Sequence, residues 1–238
     1  LEQWLPDDIL LNIAKENNVS ETAFFIKKDD HFYLRWFTPE IEMDLCGHAT
    51  LATAYCLKNH LNFNNDSVKF DSMSGELIVK YKGDYMQMDF PHRKPKKSEL
   101  PQNIMDSLSI KPSEILKSRD YVLVYENEDQ IKNIQIDKEL FDKKNIDPGG
   151  VVITSLGDHA DFVSRYFVPQ CSFFEDPVTG STHCSLVPYW SERLKKNKLK
   201  SIQLSERGGE MICEDRGNRV LIDGKAVTYS EGYVHLKY

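Results

Sequence analysis

The spacing of apolar and polar residues changes period several times along this chain, and each change marks an element. Leu5, Ile9, Leu10 and Ile13 share one side of a 3.6-residue period, which predicts a helix opening at Leu5-Pro6-Asp7-Asp8. Proline suits a first turn, and the two acids face the positive end of the helix dipole. Asn17-Asn18 supplies a stop. Residues 22–27 and 32–37 then read as two strands around the polar turn 28–31. Past Gly47 the period becomes helical again through Leu51, Ala52, Tyr55 and Leu57. Strands follow at 74–80 and 85–90, separated by Lys82-Gly83-Asp84. Residues 91–119 are rich in Pro, Lys and Ser, hold at most two short helical patches, and read as a connection. Beyond them come a strand at 121–126, a helical patch near 137–144, strands near 150–155 and 161–167, a glycine turn, a helix and further strands.

That order occurs twice. R-W-F-T-P at 35–39 matches R-Y-F-V-P at 165–169, and S-G-E-L-I-V at 74–79 matches G-G-E-M-I-C at 208–213. Arg35/Arg165, Phe37/Phe167 and Pro39/Pro169 share one offset. Gly75/Gly209, Glu76/Glu210, Gly83/Gly217 and Asp89/Asp223 share a slightly larger one. Two ordered blocks flanking the same predicted helix imply an internal duplication. The expected architecture is α+β, with pseudo-repeated halves at 1–94 and 119–238 joined by 95–118.

Each half brings a strand into a glycine turn and opens a helix after it, at D-L-C-G-H-A-T (44–50) and D-P-V-T-G-S-T (176–182). A helix start carries unpaired N–H groups and about half a positive charge. Two such starts facing one cleft would cradle a carboxylate through the amides of Gly47, His48 and Ala49 and of Gly180, Ser181 and Thr182. The plainer alternative is that the glycines permit tight turns, with Asp44 and Asp176 as turn or capping residues. The unlike chemistry of Cys-Gly-His and Thr-Gly-Ser favours a site between halves. At a helix start His48 is expected to stay neutral near pH 7, able to donate or accept a proton. Cys46-x-His48 and His183-Cys184 lack zinc-type spacing, so no metal is expected.

Composition narrows the field. The 238 residues carry a net charge of −7, which opposes nucleic-acid binding and means an acidic guest must be attracted locally. The basic runs at 93–97 and 195–200 read as solvated segments. No apolar run approaches the length of a membrane span, and no basic-then-apolar leader opens the chain. Cysteines at 46, 56, 171, 184 and 213, odd in number and scattered, read as reduced thiols of a cytoplasmic protein.

N-N-V-S-E-T-A-F-F at 17–25, L-R-W-F-T-P-E-I-E-M-D-L-C-G-H-A-T at 34–50, E-D-P-V-T-G-S-T-H-C at 175–184 and S-E-R-G-G-E at 205–210 closely resemble the PhzF-like (phenazine biosynthesis-like) proteins. Those belong to the diaminopimelate epimerase/proline racemase fold superfamily. The resemblance implies two halves, each wrapping strands around a central helix, with the active site in the cleft between them. It also implies a cofactor-free, homodimeric isomerase of a small carboxylate-bearing molecule. The family's characterised chemistry is a proton shift in a dihydro-hydroxyanthranilate, with a glutamate as acid/base. By motif the catalytic residues fall on Glu21, His48 and Asp176. The substrate-binding residues fall on Ser20, Cys46, Gly47, Ala49, Thr179, Gly180, Ser181 and Thr182.

Glu21, between a helix and the apolar strand at 23–25, suits that role, since desolvation would raise its pKa toward neutrality. Two departures matter. Family members start with a strand and a Gly-Asn-Pro-type loop ahead of the first helix, so the first half here is expected to lack its first strand. Related racemases place a cysteine before the turn glycine in each half, whereas this chain has Cys46 and Thr179. Threonine is too weak an acid or base for a two-thiol racemase. The alternatives are an epimerase using Cys46 with Glu21, and a binding protein without turnover.

Overall fold

The computed structural model describes residues 1–146, 149–170 and 174–236. The first half comprises α1 (Asp7–Asn17), β1 (Thr22–Lys28), β2 (His31–Phe37), β3 (Glu42–Met43), α2 (Gly47–His60), β4 (Ser67–Ser72), β5 (Gly75–Lys82) and β6 (Tyr85–Pro91). Residues 95–118 carry β7 (Lys96–Lys97), α3 (Gln102–Ser107) and β8 (Glu114–Lys117). The rest comprises β9 (Tyr121–Val124), α4 (Glu128–Asn133), α5 (Lys138–Phe141), β10 (Val151–Leu156), β11 (Phe162–Phe167), β12 (Glu175–Asp176), α6 (His183–Leu194), β13 (Lys198–Gln203), β14 (Gly209–Asp215) and β15 (Arg219–Gly224). The stretch read as connection therefore contributes strands as well as a helix, and β8 pairs with β9.

Strand order makes the duplication visible. The sheet runs β1-β2-β4-β5-β6 and continues β15-β14-β13-β11-β10, the same order in mirror sequence about the β6–β15 pair. β2 pairs antiparallel with β1 and parallel with β4, and β11 pairs antiparallel with β10 and parallel with β13. On its outer edge β10 has the parallel strand β9, whereas β1 pairs with β2 alone among the described strands.

The repeated Arg–aromatic–Phe motif has one job in both halves. Arg35 grips Glu42 of β3 through two hydrogen bonds of 2.7 Å, and Arg165 grips Glu175 of β12 at 2.8 and 2.7 Å. Each guanidinium lies 5.0 Å over the ring of the following phenylalanine, Phe37 or Phe167. These forks tie the short strands β3 and β12 to β2 and β11, so the chain enters each glycine turn from a fixed direction. Pairing of Trp36 with Met43 and of Tyr166 with Asp176 makes Met43, rather than Asp44, the counterpart of Asp176.

One continuous core joins α2 and α6 to the inner faces of both halves, with Leu51, Ala54, Leu57, Phe90, Leu186, Val187, Trp190 and Ile222 among its members. Apart from its last three residues, α6 is buried throughout despite holding Pro188. Proline has no N–H to offer Cys184 O four residues back. The backbone N–H of Arg93, arriving from β6, donates to that oxygen instead at 2.8 Å. Asn18 ends α1 in the left-handed conformation, with its N–H donating to Ala14 O at 3.1 Å.

Candidate active site

The two glycine turns meet. A Cβ added at Gly47 would lie 3.4 Å from Gly180 Cα and 3.2 Å from Phe90 Cζ, so the backbones of the two halves touch at this seam. α2 begins at Gly47 itself, whereas α6 begins at His183, three residues past its glycine, after a turn in which His183 N–H donates to Gly180 O. The N–H groups of Gly47, His48, Gly180 and Ser181 find no acceptor among the described residues, as a helix start and the turn leading into one leave them.

A chamber of about 250 Å³ opens at the seam, lined by Glu21, Cys46, Gly47, His48, Asp176, Thr179, Gly180 and Ser181 together with Arg119 and Tyr166. A second, of about 450 Å³, shares His48, Asp176 and Gly180 and adds Ser20, Leu51, Met88, Val178, Arg207 and Lys225. Ala49 and Thr182 are buried and line neither chamber; the Thr182 hydroxyl donates to Thr179 O at 2.9 Å.

Glu21 sits at the end of the loop between α1 and β1, and its Oε2 lies 3.0 Å from His48 Nε2. That oxygen is buried and accepts no aligned hydrogen bond among the described residues. Ser20 Oγ is 3.4 Å from the same His48 nitrogen, and Cys46 Sγ lies 3.8 Å from Nδ1. Asp176 is buried; its Oδ2 accepts from the Thr179 hydroxyl at 2.5 Å, while its Oδ1 has no partner among the described residues. Burial, reinforced by the Glu21 charge, raises the Asp176 pKa above the usual carboxylate value, against the pull of His48 and Thr179. Burial likewise raises Cys46, which favours the thiol.

His48 departs from expectation. Burial opposes a charged ring, but the Glu21 carboxylate at 3.0 Å, with the Cys46 thiol beside the ring as a hydrogen-bond partner, holds the pKa above the ordinary imidazole value. A helix start alone favours the neutral ring; a carboxylate at 3.0 Å overrides it. His183, by contrast, is a core residue. Its Nδ1 donates to Thr179 O at 2.9 Å, its Nε2 accepts from Ser201 Oγ at 2.7 Å, and burial lowers its pKa to about 4. Among the described residues, the atoms close enough to share a metal are those of Glu21, Cys46 and His48, all within 4.8 Å of one another. Cys171 lies outside the described residues.

These two histidines give opposite pH signatures. The raised His48 stabilises fully below its unfolded pKa of about 6.5, and this fades as pH rises through its higher folded value. The depressed His183 contributes above about 6.5 and loses its contribution as pH falls toward 4. In thermal melts across pH, His48→Gln is expected to fall furthest below wild type on the acid side. His183→Gln is expected to flatten the acid limb of the curve. Parallel curves for wild type and both variants would contradict these assignments.

Arg119 was not legible in the sequence. Its Nη2 donates to Ser181 Oγ at 2.9 Å and pairs with Asp120 Oδ2 at 3.0 Å, which puts a guanidinium in the chamber wall. It sits in an S-R-D turn without a motif around it, so no sequence signal pointed to it.

The phenazine biosynthesis-like protein family model matches residues 2–232. An uncharacterized isomerase of Pseudomonas aeruginosa is 44% identical over 236 residues, covering 99% of this chain and 90% of its own. A phenazine biosynthesis-like domain-containing protein of Homo sapiens is 34% identical over 98% of this chain and 90% of its own. Among solved structures, a PhzF-family protein of Enterococcus faecalis superimposes with a TM-score of 0.93 at 43% identity, over 99% of this chain and 90% of its own. A probable proline racemase from Agrobacterium radiobacter aligns with a TM-score of 0.60 at 11% identity, over 91% of this chain and 76% of its own, a likeness of fold alone.

Proposed function

The chain belongs to the phenazine biosynthesis-like family, and from that premise we propose that it is a cofactor-independent isomerase of a small carboxylate-bearing metabolite, with Glu21 as the proton carrier. The observation that carries this reading is the buried Glu21 oxygen without an aligned hydrogen bond, beside His48 and in the chamber at the seam of the halves.

The chemistry follows from those groups. Glu21 takes a proton from one carbon of the guest; the C–H electron pair enters the adjacent π system. The double bond shifts, and the proton returns from the carboxyl to a second carbon on the same face. Protonated His48 supplies a hydrogen-bond donor to the electron-rich species in between, with the Asp176 carboxyl beside it in the same chamber. The amides of the two glycine turns hold the carboxylate.

A second reading, a one-sided epimerase using Cys46 with Glu21, draws on the closeness of Cys46 Sγ to the pair. Burial keeps that sulfur as a thiol, which weakens it as a base. Tracing deuterium from D2O in a panel of small carboxylic acids that includes a dihydro-hydroxyanthranilate separates the two. Migration of hydrogen between carbons is the expected result. Exchange with inversion at one centre would replace the lead reading with the second.

A further inference from the structure

We infer that Arg119 is the charged anchor for the guest's carboxylate, so that the first chamber admits small carboxylate anions and discriminates against their neutral amides. This rests on the isomerase reading for the kind of guest, but on a separate set of atoms.

The Arg119 side chain is 16% exposed, in the turn between β8 and β9. Its Nε and Nη2 are committed to the Asp120 carboxylate at 3.0–3.3 Å, and Nη2 also to Ser181 Oγ. Asp120 is itself pinned, accepting from Gly150 N–H and from the Tyr166 hydroxyl, both at 3.0 Å. The guanidinium plane is therefore set before any guest arrives, and Nη1 has no acceptor among the described residues. A fixed planar fork whose Nη1 corner is open among the described residues suits a carboxylate oxygen.

Charge balance points the same way. The chamber lining includes Glu21, Glu40 and Asp176, with His48 and Arg119 as its cationic side chains. His48 faces Glu21 at 3.0 Å. Arg119, paired with Asp120 on its Nε–Nη2 side, is the one whose charge persists at every working pH. An acid entering among three carboxyl side chains has its favourable contact there. Ser181 links the anchor to the glycine turn, because its oxygen accepts from Arg119 while its own O–H and N–H remain to meet the same guest. The acid end is then held on the second half's side of the seam, and the guest's body lies toward Glu21.

The test is calorimetric titration of the full chain with benzoate and with benzamide, which differ in charge and little in shape. Wild type is expected to bind benzoate more tightly. Arg119→Met combined with Asp120→Asn, a pair that leaves no unmatched buried charge, is expected to weaken benzoate about 10- to 100-fold and leave benzamide unchanged. Arg119→Lys keeps the charge without the fork and should fall between. Thermal melts check folding, and if the double variant is unfolded, Arg119→Lys decides. Benzoate affinity unaltered by these substitutions overturns the inference, as does a wild type that does not prefer benzoate to benzamide. Glu21→Gln, titrated alongside, should keep the benzoate preference while losing turnover, so the anchor and the proton carrier can fail separately.

Discussion

Glu21→Gln is expected to lower turnover by about 10²- to 10⁴-fold, the usual contribution of a positioned acid/base, with little change in melting temperature. Glutamine matches glutamate in shape but cannot accept and return a proton. The folding cost should be small, because Oε2 makes no aligned hydrogen bond among the described residues. What is lost is the 3.0 Å charge contact with His48, so a modest loss of stability on the acid side of the melting profile should accompany the change. Cys46→Ser serves as the comparison. If Glu21 carries the proton, the serine variant keeps most activity, since a buried thiol is not the base. Steady-state rates and circular-dichroism melts on the three proteins decide the matter. A Glu21→Gln enzyme as fast as wild type ends the acid/base assignment.

Gly47→Val is the second large effect, and its reason differs from the one the motif suggests. In the structure the added Cβ points at Phe90 Cζ, 3.2 Å away, and at Gly180 Cα, 3.4 Å away. It therefore strikes the other half. The two further methyls of valine would wedge the glycine turns apart, at a cost of about 1–3 kcal/mol in stability, as for other overpacked sites. Ligand binding should vanish with it, because both turns supply the cradle. Gly180→Ala is the control: its Cβ would meet Gly47 Cα at 3.6 Å, an ordinary contact, and should be close to neutral in melts. A Gly47→Val protein with wild-type stability and affinity would show that the seam is not closely packed.

Much of this was readable beforehand because the duplication leaves paired marks. Arg35 and Arg165, each followed by a phenylalanine, repeat a salt-bridged corner, and such a corner needs those residue types at that spacing. Gly47 and Gly180 advertise turns. Short elements were harder to read. β3 and β12 are two residues each, and β7 is another pair inside a Pro- and Lys-rich stretch, too few positions for a period to show. β4, S-V-K-F-D-S, buries only Val68 and Phe70. α4 announces itself through a capping Asn127 rather than through an apolar face. At the site, the residue types and their convergence were legible, but the His48 charge was not. It depends on Glu21, 27 positions away in the chain and brought near only by packing. Arg119 escaped for the same reason, since its partner Ser181 lies 62 positions further on.

The most direct check is a crystal structure with benzoate bound. The expected density has the carboxylate within about 3 Å of the amides at Gly47–His48 or Gly180–Ser181, and a Glu21 oxygen facing the ring across the seam. Benzoate lodged away from both glycine turns, or a Glu21 side chain directed out of the chamber, would contradict the account.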